Sequence, residues 1–184
     1  MKKQNHVVVP SLLALGIWVA LSLSAFTGQE TKPRPAPRLP TSGWLNTPEG
    51  KPLRMEELHG KVVLVEFWAF ACYNCRNQLP YVKAWHEKYA AQGLTVIGVH
   101  TPELEHERSA ENVKKAVREL GITFPVVLDN DYKTWNRFKN RYWPAAYLID
   151  HRGQIVYVAI GEGDYERTEA RLQALLAQAQ KARP

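Results

Sequence analysis

Cysteine is scarce in this chain, with two cysteines among 184 residues. So few cysteines exclude a small secreted scaffold held together by many disulfides. A structural zinc site would also lack ligands, because there is no second Cys-x-x-Cys pair and the six histidines are scattered. His100 and His106 stand close to Glu103, Glu105 and Glu107, a polar pattern more typical of a solvated helix start than of a metal site. We therefore predict no metal and no other cofactor.

An excess of one charge is missing from most of the chain. The formal net charge is +6, but residues 43–180 contain 17 acidic and 17 basic side chains, so the basic excess lies towards the two ends. A nucleic-acid-binding domain carries its basic patch on the folded part. No nucleic-acid partner is therefore expected. The hydrophobic share of 45% also excludes a disordered chain.

A long apolar run occurs only near the N-terminus, over residues 7–26, directly after Lys2 and Lys3. Its length fits both a signal-peptide core and a membrane span. Residues 1–26 are therefore predicted to be a signal peptide or a membrane anchor. Both interpretations keep the positive end in the cytoplasm and export the rest of the chain. The expected location is periplasmic or otherwise extracytoplasmic, either secreted or tethered to the inner membrane by residues 7–26.

Proline is concentrated in the next segment of the chain. Four prolines within residues 27–42 favour extended polyproline II, so this segment is predicted to be a linker: Pro33, Pro35, Pro37 and Pro40. A globular domain is expected over residues 43–180, and residues 181–184 are left as a tail.

Strand and helix patterns alternate through the expected domain. Residues 44–53 contain turn residues between short apolar stretches and are predicted to form a small N-terminal hairpin. Beyond it, hydrophobic periodicity predicts strands over 61–68, 94–99, 124–128, 145–149 and 154–160, and helices over 75–91, 110–120, 132–138 and 165–179. The fold class is therefore α/β, a sandwich with a central mixed β-sheet flanked by helices and with an N-terminal hairpin extension.

The chemistry is concentrated at Cys72-Tyr73-Asn74-Cys75, where a buried strand leads into a helix. At a helix N-terminus the unpaired backbone N–H groups and the helix dipole favour a thiolate. The two-residue spacer lets Cys75 reach Cys72 and form a disulfide. A purely structural disulfide and half of a zinc site are the alternatives, but so short a loop constrains little of the unfolded chain. Redox chemistry is the favoured interpretation.

Further motifs make the sequence resemble the thioredoxin superfamily. They are the strand and Cys-x-x-Cys stretch at 62–75, Pro80 in the first active-site helix, and Tyr142-Trp143-Pro144-Ala145 before a strand. Within that superfamily the chain is most similar to the exported branch that contains TlpA, ResA and the C-terminal thioredoxin domain of DipZ-like proteins. The residues that carry this closer resemblance are 96–103, 124–130, 140–145 and 161–165. The resemblance implies a thioredoxin-like sandwich.

The resemblance also implies roles for four further residues. Pro144 matches the proline that follows a cis peptide bond, and the Trp143 backbone would pair with the substrate beside Cys72. Trp68 is expected to pack around the site and, with Trp143 and Pro144, to line the place where the substrate binds. Glu66 matches the family's buried carboxylate, and as a lone acid in an apolar strand it should be hard to ionise and able to carry the proton of Cys75. The alternative for Glu66 is an edge position in water.

The predicted function is that of an exported thiol:disulfide oxidoreductase. Cys72 and Cys75 form its redox-active pair, and the resemblance favours reduction of client proteins, including those prepared for haem attachment in cytochrome c maturation. A transmembrane electron-transfer protein is the expected reductant. Two alternatives are a peroxiredoxin-like thiol peroxidase and a copper-handling module that uses both cysteines and a histidine such as His100. Such peroxidases have Thr three residues before the cysteine, where this chain has Ala69.

Overall fold

The apolar runs form the centre of a seven-stranded sheet in the computed structural model, which describes residues 28–182. The strands are β1 Gln29–Pro35, β2 Trp44–Leu45, β3 Val62–Trp68, β4 Leu94–His100, β5 Val126–Leu128, β6 Ala145–Ile149 and β7 Gln154–Ile160. The α-helices are α1 Tyr73–Tyr89, α2 Ala110–Glu119, α3 Lys133–Phe138 and α4 Tyr165–Lys181. Short 3-10 helices lie at Pro48–Gly50, Met55–Leu58, Ala90–Gln92 and Glu105–Arg108.

The sheet is mixed, with the order β1-β7-β6-β3-β4-β5-β2. The central strand β3 pairs in parallel with β4 and antiparallel with β6. The pair β4–β5 is parallel, whereas β6–β7, β1–β7 and β2–β5 are antiparallel. The prediction of a thioredoxin-like mixed sheet flanked by helices is confirmed.

Strand β3 is buried on both faces because it separates two cores, and all seven of its residues are buried. Leu64 and Trp68 face one core, to which α1, α2 and α4 contribute. Val65 and Phe67 face the other core, where Phe67 contacts two aromatic side chains of α3, Trp135 and Phe138. The burial of β3 therefore comes from its central place between two helical layers.

The predicted Pro-rich linker over 27–42 is wrong for residues 29–35, which form β1 on one edge of the sheet. This strand pairs with β7, and its register shifts between Glu30 and Arg34. An edge strand has one side that makes no ladder bonds, so it tolerates proline, which has no N–H to donate. The local proline content therefore does not exclude a strand here.

The predicted hairpin over 44–53 is also wrong. Trp44–Leu45 pairs antiparallel with Val126–Val127 of β5, far along the chain. Residues 48–50 form a 3-10 helix, and among the described residues β2 pairs only with β5. The turn residues do form a turn, but the strand before the turn has a distant partner.

The predicted signal peptide or anchor over 1–26 lies outside the described residues. Within residues 28–182, no helix combines the length and the apolar character that a membrane crossing requires.

Candidate active site

The two cysteines lie at the start of α1 and are joined as a disulfide. Cys72 is the N-cap of this helix, and its sulfur accepts a hydrogen bond from the Cys75 backbone N–H, with 3.2 Å between the N and Sγ atoms. Cys72 is 8% exposed and Cys75 is 4% exposed. Because Cys72 stands where the unpaired N–H groups of the helix converge, a negative charge on its sulfur is stabilised there.

Glu66 lies in β3 on the same face as Leu64 and Trp68, and α1 covers this face. Glu66 is 4% exposed, and the Gln78 side chain of α1 donates to its Oε1 over 2.7 Å. The other oxygen, Oε2, has no hydrogen-bond partner among the described residues. Burial raises the pKa of Glu66 well above its usual value of 4.5, and the bond from Gln78 opposes this only in part. The edge alternative is excluded, because Glu66 is in the central strand.

Trp68 is the last residue of β3 and packs over β4. A Cβ atom on Gly98 would stand 2.9 Å from Trp68 Nε1, so the indole occupies the space that a side chain at position 98 would need. The indole meets the His100 ring edge to face, with 5.0 Å between ring centroids. Trp68 therefore fills the layer beneath the active-site loop, in agreement with a packing role.

His100 differs from its expected place in a polar loop. It ends β4, is fully buried, and stacks on Phe70 of the active-site loop with centroids 5.6 Å apart. Neither ring nitrogen has a hydrogen-bond partner within residues 28–182. Burial lowers the pKa of His100 to about 4, although the nearby Glu107 acts in the opposite direction. The sequence pattern leaves His100 outside the strand because the apolar run ends one residue before it.

The peptide bond between Trp143 and Pro144 is cis, as the resemblance implied. Strand β6 begins at Ala145, which pairs with Phe67, so this peptide lies beside the end of β3 from which the cysteine loop departs. The Trp143 indole donates to the Thr101 carbonyl over 3.0 Å and packs against Trp135, with centroids 4.1 Å apart. The contacts of the Trp143 side chain thus fix the position of the cis-proline loop.

Glu107 is a site residue that the sequence does not reveal. The sequence pattern predicts it to be solvated with Glu103 and Glu105, but it is fully buried. Its carboxylate accepts from the Ala71 backbone N–H over 2.7 Å, and Ala71 directly precedes Cys72. The bond joins residues 36 positions apart, so no local pattern could have distinguished Glu107 from its acidic neighbours.

Within the described part of the chain, no three His, Cys, Asp or Glu side chains are grouped as a metal site would require. His100 lies against the rings of Trp68 and Phe70.

Comparison with known proteins assigns this fold and site to a family. The AhpC/TSA family model matches residues 34–158. Protein DipZ of Mycobacterium bovis is 50% identical over 135 residues, which cover 73% of this chain and 19% of DipZ. The thiol-disulfide oxidoreductase YkuV of Bacillus subtilis is 32% identical over 146 residues, which cover 79% of this chain and 96% of YkuV.

Among solved structures, a thiol-disulfide isomerase from Corynebacterium glutamicum superposes with a TM-score of 0.67 at 29% identity. The match covers 77% of this chain and 96% of that protein. The chain belongs to the AhpC/TSA family, and it carries the paired Cys72 and Cys75 on a thioredoxin-like fold. It spans about a fifth of the length of DipZ.

Proposed function

We propose that this protein is a thiol-disulfide oxidoreductase that works outside the cytoplasm and reduces disulfides in client proteins. The observation that carries the proposal is the placement of the two cysteines. Cys72 caps a helix N-terminus, where a thiolate is stabilised, and the less exposed Cys75 is bonded to it. This arrangement suits one attacking and one resolving thiol.

In the proposed reaction, the Cys72 thiolate attacks one sulfur of a client disulfide. A Cys72–client disulfide forms, and the other client sulfur leaves as a thiolate that takes up a proton. The Cys75 thiol then loses its proton and attacks Cys72 Sγ, which releases the second client thiol and forms the Cys72–Cys75 disulfide. The client gains two electrons, and the pair must regain two from a reductant, which we propose is a transmembrane electron-transfer protein.

Glu66 is proposed to accept the proton of Cys75. It is buried beneath α1 and has one unpartnered carboxyl oxygen. Because burial raises its pKa, the Glu66 carboxylate is a better proton acceptor than an ordinary exposed carboxylate. The cis Trp143–Pro144 peptide beside the end of β3 is proposed to offer its backbone to an extended client segment.

The roles of the two cysteines are tested by exchanging each for serine. Cys72→Ser should abolish the reduction of insulin, whereas Cys75→Ser should accumulate a mixed disulfide with the client that dithiothreitol releases. Accumulation by Cys72→Ser instead would reverse the assignment. Rapid peroxide consumption without insulin reduction would favour a thiol peroxidase, although position 69, three residues before Cys72, holds a buried alanine with no hydroxyl.

The direction of electron flow is tested by the reduction potential of a fragment over residues 28–184, equilibrated against glutathione. A reductant of client proteins should lie on the reducing side of about −180 mV, the value for protein disulfide isomerase. A potential near −120 mV, which is that of a strong oxidant, would overturn the proposed direction.

The extracytoplasmic location is proposed from the apolar run at 7–26 and the preceding lysines. A fusion of residues 1–42 to a phosphatase that is active only outside the cytoplasm tests it in a bacterial host. Activity is expected, and replacement of three leucines in the run by lysine should remove it. An inactive but stable fusion would contradict export.

A further inference from the structure

The segment over residues 101–108, which comes directly after β4, contacts both loops of the active site. The Thr101 backbone N–H donates to the Trp68 carbonyl over 3.1 Å, where the cysteine loop begins. The Thr101 carbonyl accepts from the Trp143 indole, which belongs to the cis-proline loop. One short segment thus connects the loop that carries the nucleophile with the loop proposed to receive the client.

The contact nearest to the nucleophile is made by Glu107. One of its oxygens accepts from Ala71, and the other accepts from the backbone N–H groups of Glu103 and Leu104, each over 2.8 Å. A fully buried carboxylate with three backbone donors is held in one place. The carboxylate therefore acts as a fixed bridge between its own segment and the residue that precedes Cys72.

Ring contacts also join the cysteine loop to the end of β4 and to the 101–108 segment. Phe70 stacks on His100 and meets His106 edge to face, with 5.4 Å between the latter centroids. These contacts hold the Phe70 side chain, whereas Glu107 binds the backbone of the next residue. Ala71 itself is exposed, so its side chain contributes little to fixing the loop.

We propose that Glu107 is a positioning residue of this oxidoreductase, which holds the loop before Cys72 so that the Cys72 sulfur stays aligned with the Cys75 N–H. This inference rests on the proposed function, in which Cys72 is the attacking thiol. Without the bond from Ala71, the loop could shift relative to the helix N-terminus, and the thiolate would lose part of the stabilisation that an aligned N–H donor supplies.

Two variants separate the reach of the side chain from its charge. Glu107→Asp keeps the negative charge but is one methylene too short to bridge all three donors. Glu107→Gln keeps the length, but its single carbonyl oxygen leaves an N–H group facing the amide NH2, and the negative charge is lost. Glu105→Gln is the matched control, because Glu105 lies in the same segment with its side chain 90% exposed.

The readout is the rate at which reduced protein is alkylated at Cys72 by iodoacetamide, measured against pH in a background where Cys75 is serine. The midpoint of this pH profile should be at least ~0.5 pH unit higher for Glu107→Asp than for the parent. In this variant the Cys72 thiolate loses an aligned N–H donor, while the negative charge at position 107 remains. The midpoint for Glu107→Gln should fall below that of Glu107→Asp, because a negative neighbour has been removed. Glu105→Gln should match the parent.

A lowered melting temperature with an unchanged midpoint in Glu107→Asp would show that Glu107 is merely structural and would overturn the inference. The alkylation profile needs no client. Failure of the wild-type chain to reduce insulin would therefore refute the proposed function, and these midpoints would still report on Glu107.

Hydrogen exchange of the wild-type chain provides a test that requires no variant to fold. Ala71 is exposed, so its amide should exchange slowly only because Glu107 accepts its hydrogen bond. We expect exchange at least ~10-fold slower than in an unstructured peptide of the same sequence. An Ala71 amide that exchanges at the peptide rate would overturn the inference, whatever the variants do.

Discussion

Buried ionisable side chains surround the cysteine loop, and they differ in how far the sequence reveals them. Glu66 was predictable because strand alternation places it between apolar residues on one face of β3. His100 and Glu107 were not, because each contacts a residue of the cysteine loop that is distant in sequence, Phe70 and Ala71 respectively. A local sequence pattern depends only on residues that are close along the chain, whereas the surroundings of His100 and Glu107 are formed by tertiary contacts.

The raised pKa of Glu66 predicts a specific dependence of stability on pH. Between its ordinary pKa of 4.5 and the raised folded value, the folded state keeps a proton that the unfolded chain releases, so stability must fall as pH rises through that window. Glu66→Gln keeps the shape without the titration. The variant should therefore be as stable as wild type at pH 4 and more stable at pH 8, as measured by urea unfolding.

The same variant should resolve the client mixed disulfide more slowly at neutral pH, because Cys75 loses its proton acceptor. Glu87→Gln, at an exposed position on α1, is the control and should change neither property. If Glu66→Gln lost stability at all pH values while keeping normal resolution, Glu66 would be a structural hydrogen-bonding residue.

His100 predicts the opposite slope in acid. Its pKa is about 4 when folded and 6.5 ordinarily, so the unfolded chain binds a proton first as pH falls. Stability contributed by neutral His100 is therefore lost as pH falls from about 6.5 towards 4, by an amount on the order of 3 kcal/mol. His100→Phe keeps an aromatic ring against Phe70 and removes the titration.

Urea unfolding of wild type and His100→Phe at pH 7 and pH 4.5 checks this prediction. The larger ring changes packing equally at both pH values, so only the difference between them is diagnostic. Wild type should lose more stability on acidification than the variant does. Equal losses would mean that His100 takes up its proton without unfolding.

At the scale of the elements, most of the fold follows from hydrophobic periodicity. The bounds of β6 and β7 and the start of α4 agree with the pattern, because each is a regular run between clear turn signals. The errors fall on β1 and β2. Both strands pair with strands that are distant in sequence. The prolines of β1 and the short length of β2 give no local β pattern, so these residues are strands because of their partners.

Strand β1 should matter for stability, although the sequence suggests a linker. It covers the edge of β7, Glu30 forms an ion pair with Arg171 at 2.7 Å, and Arg34 donates to the Phe138 carbonyl over 3.1 Å. A fragment over residues 43–184 should therefore be less stable than one over 28–184 by at least ~2 kcal/mol, given about 1 kcal/mol per lost hydrogen bond.

Urea unfolding of the two fragments measures the contribution of β1. Glu30→Gln in the longer fragment is the matched control, since it breaks only a partly exposed ion pair and should cost less than about 1 kcal/mol. Equal stability of the two fragments would show that β1 pairs with β7 without adding to the stability of the domain.

At the scale of the whole molecule, the sheet order brings the site together. The cysteine loop leaves the end of β3, the 101–108 segment leaves the same end of the parallel strand β4, and the cis-proline loop enters the antiparallel strand β6 beside them. The motifs on the cysteine loop and the cis-proline loop can be recognised from the sequence. The resemblance to the thioredoxin superfamily implies that these two loops lie side by side. Only the structure shows that Thr101 and Glu107 connect them.

The redox state should alter the stability of the entire domain, because the disulfide and the fold are thermodynamically linked. A dithiol protein that is a strong oxidant is more stable in its reduced form than in its disulfide form. A protein that acts as a reductant is expected to be more stable in its disulfide form. We expect the oxidised 28–184 fragment to resist urea better than the reduced one, and each 30 mV of linked potential corresponds to about 1.4 kcal/mol. The Cys72→Ser, Cys75→Ser double variant is the control and should not respond to reductant. A reduced form more stable than the oxidised form would mean that the protein donates its disulfide to clients.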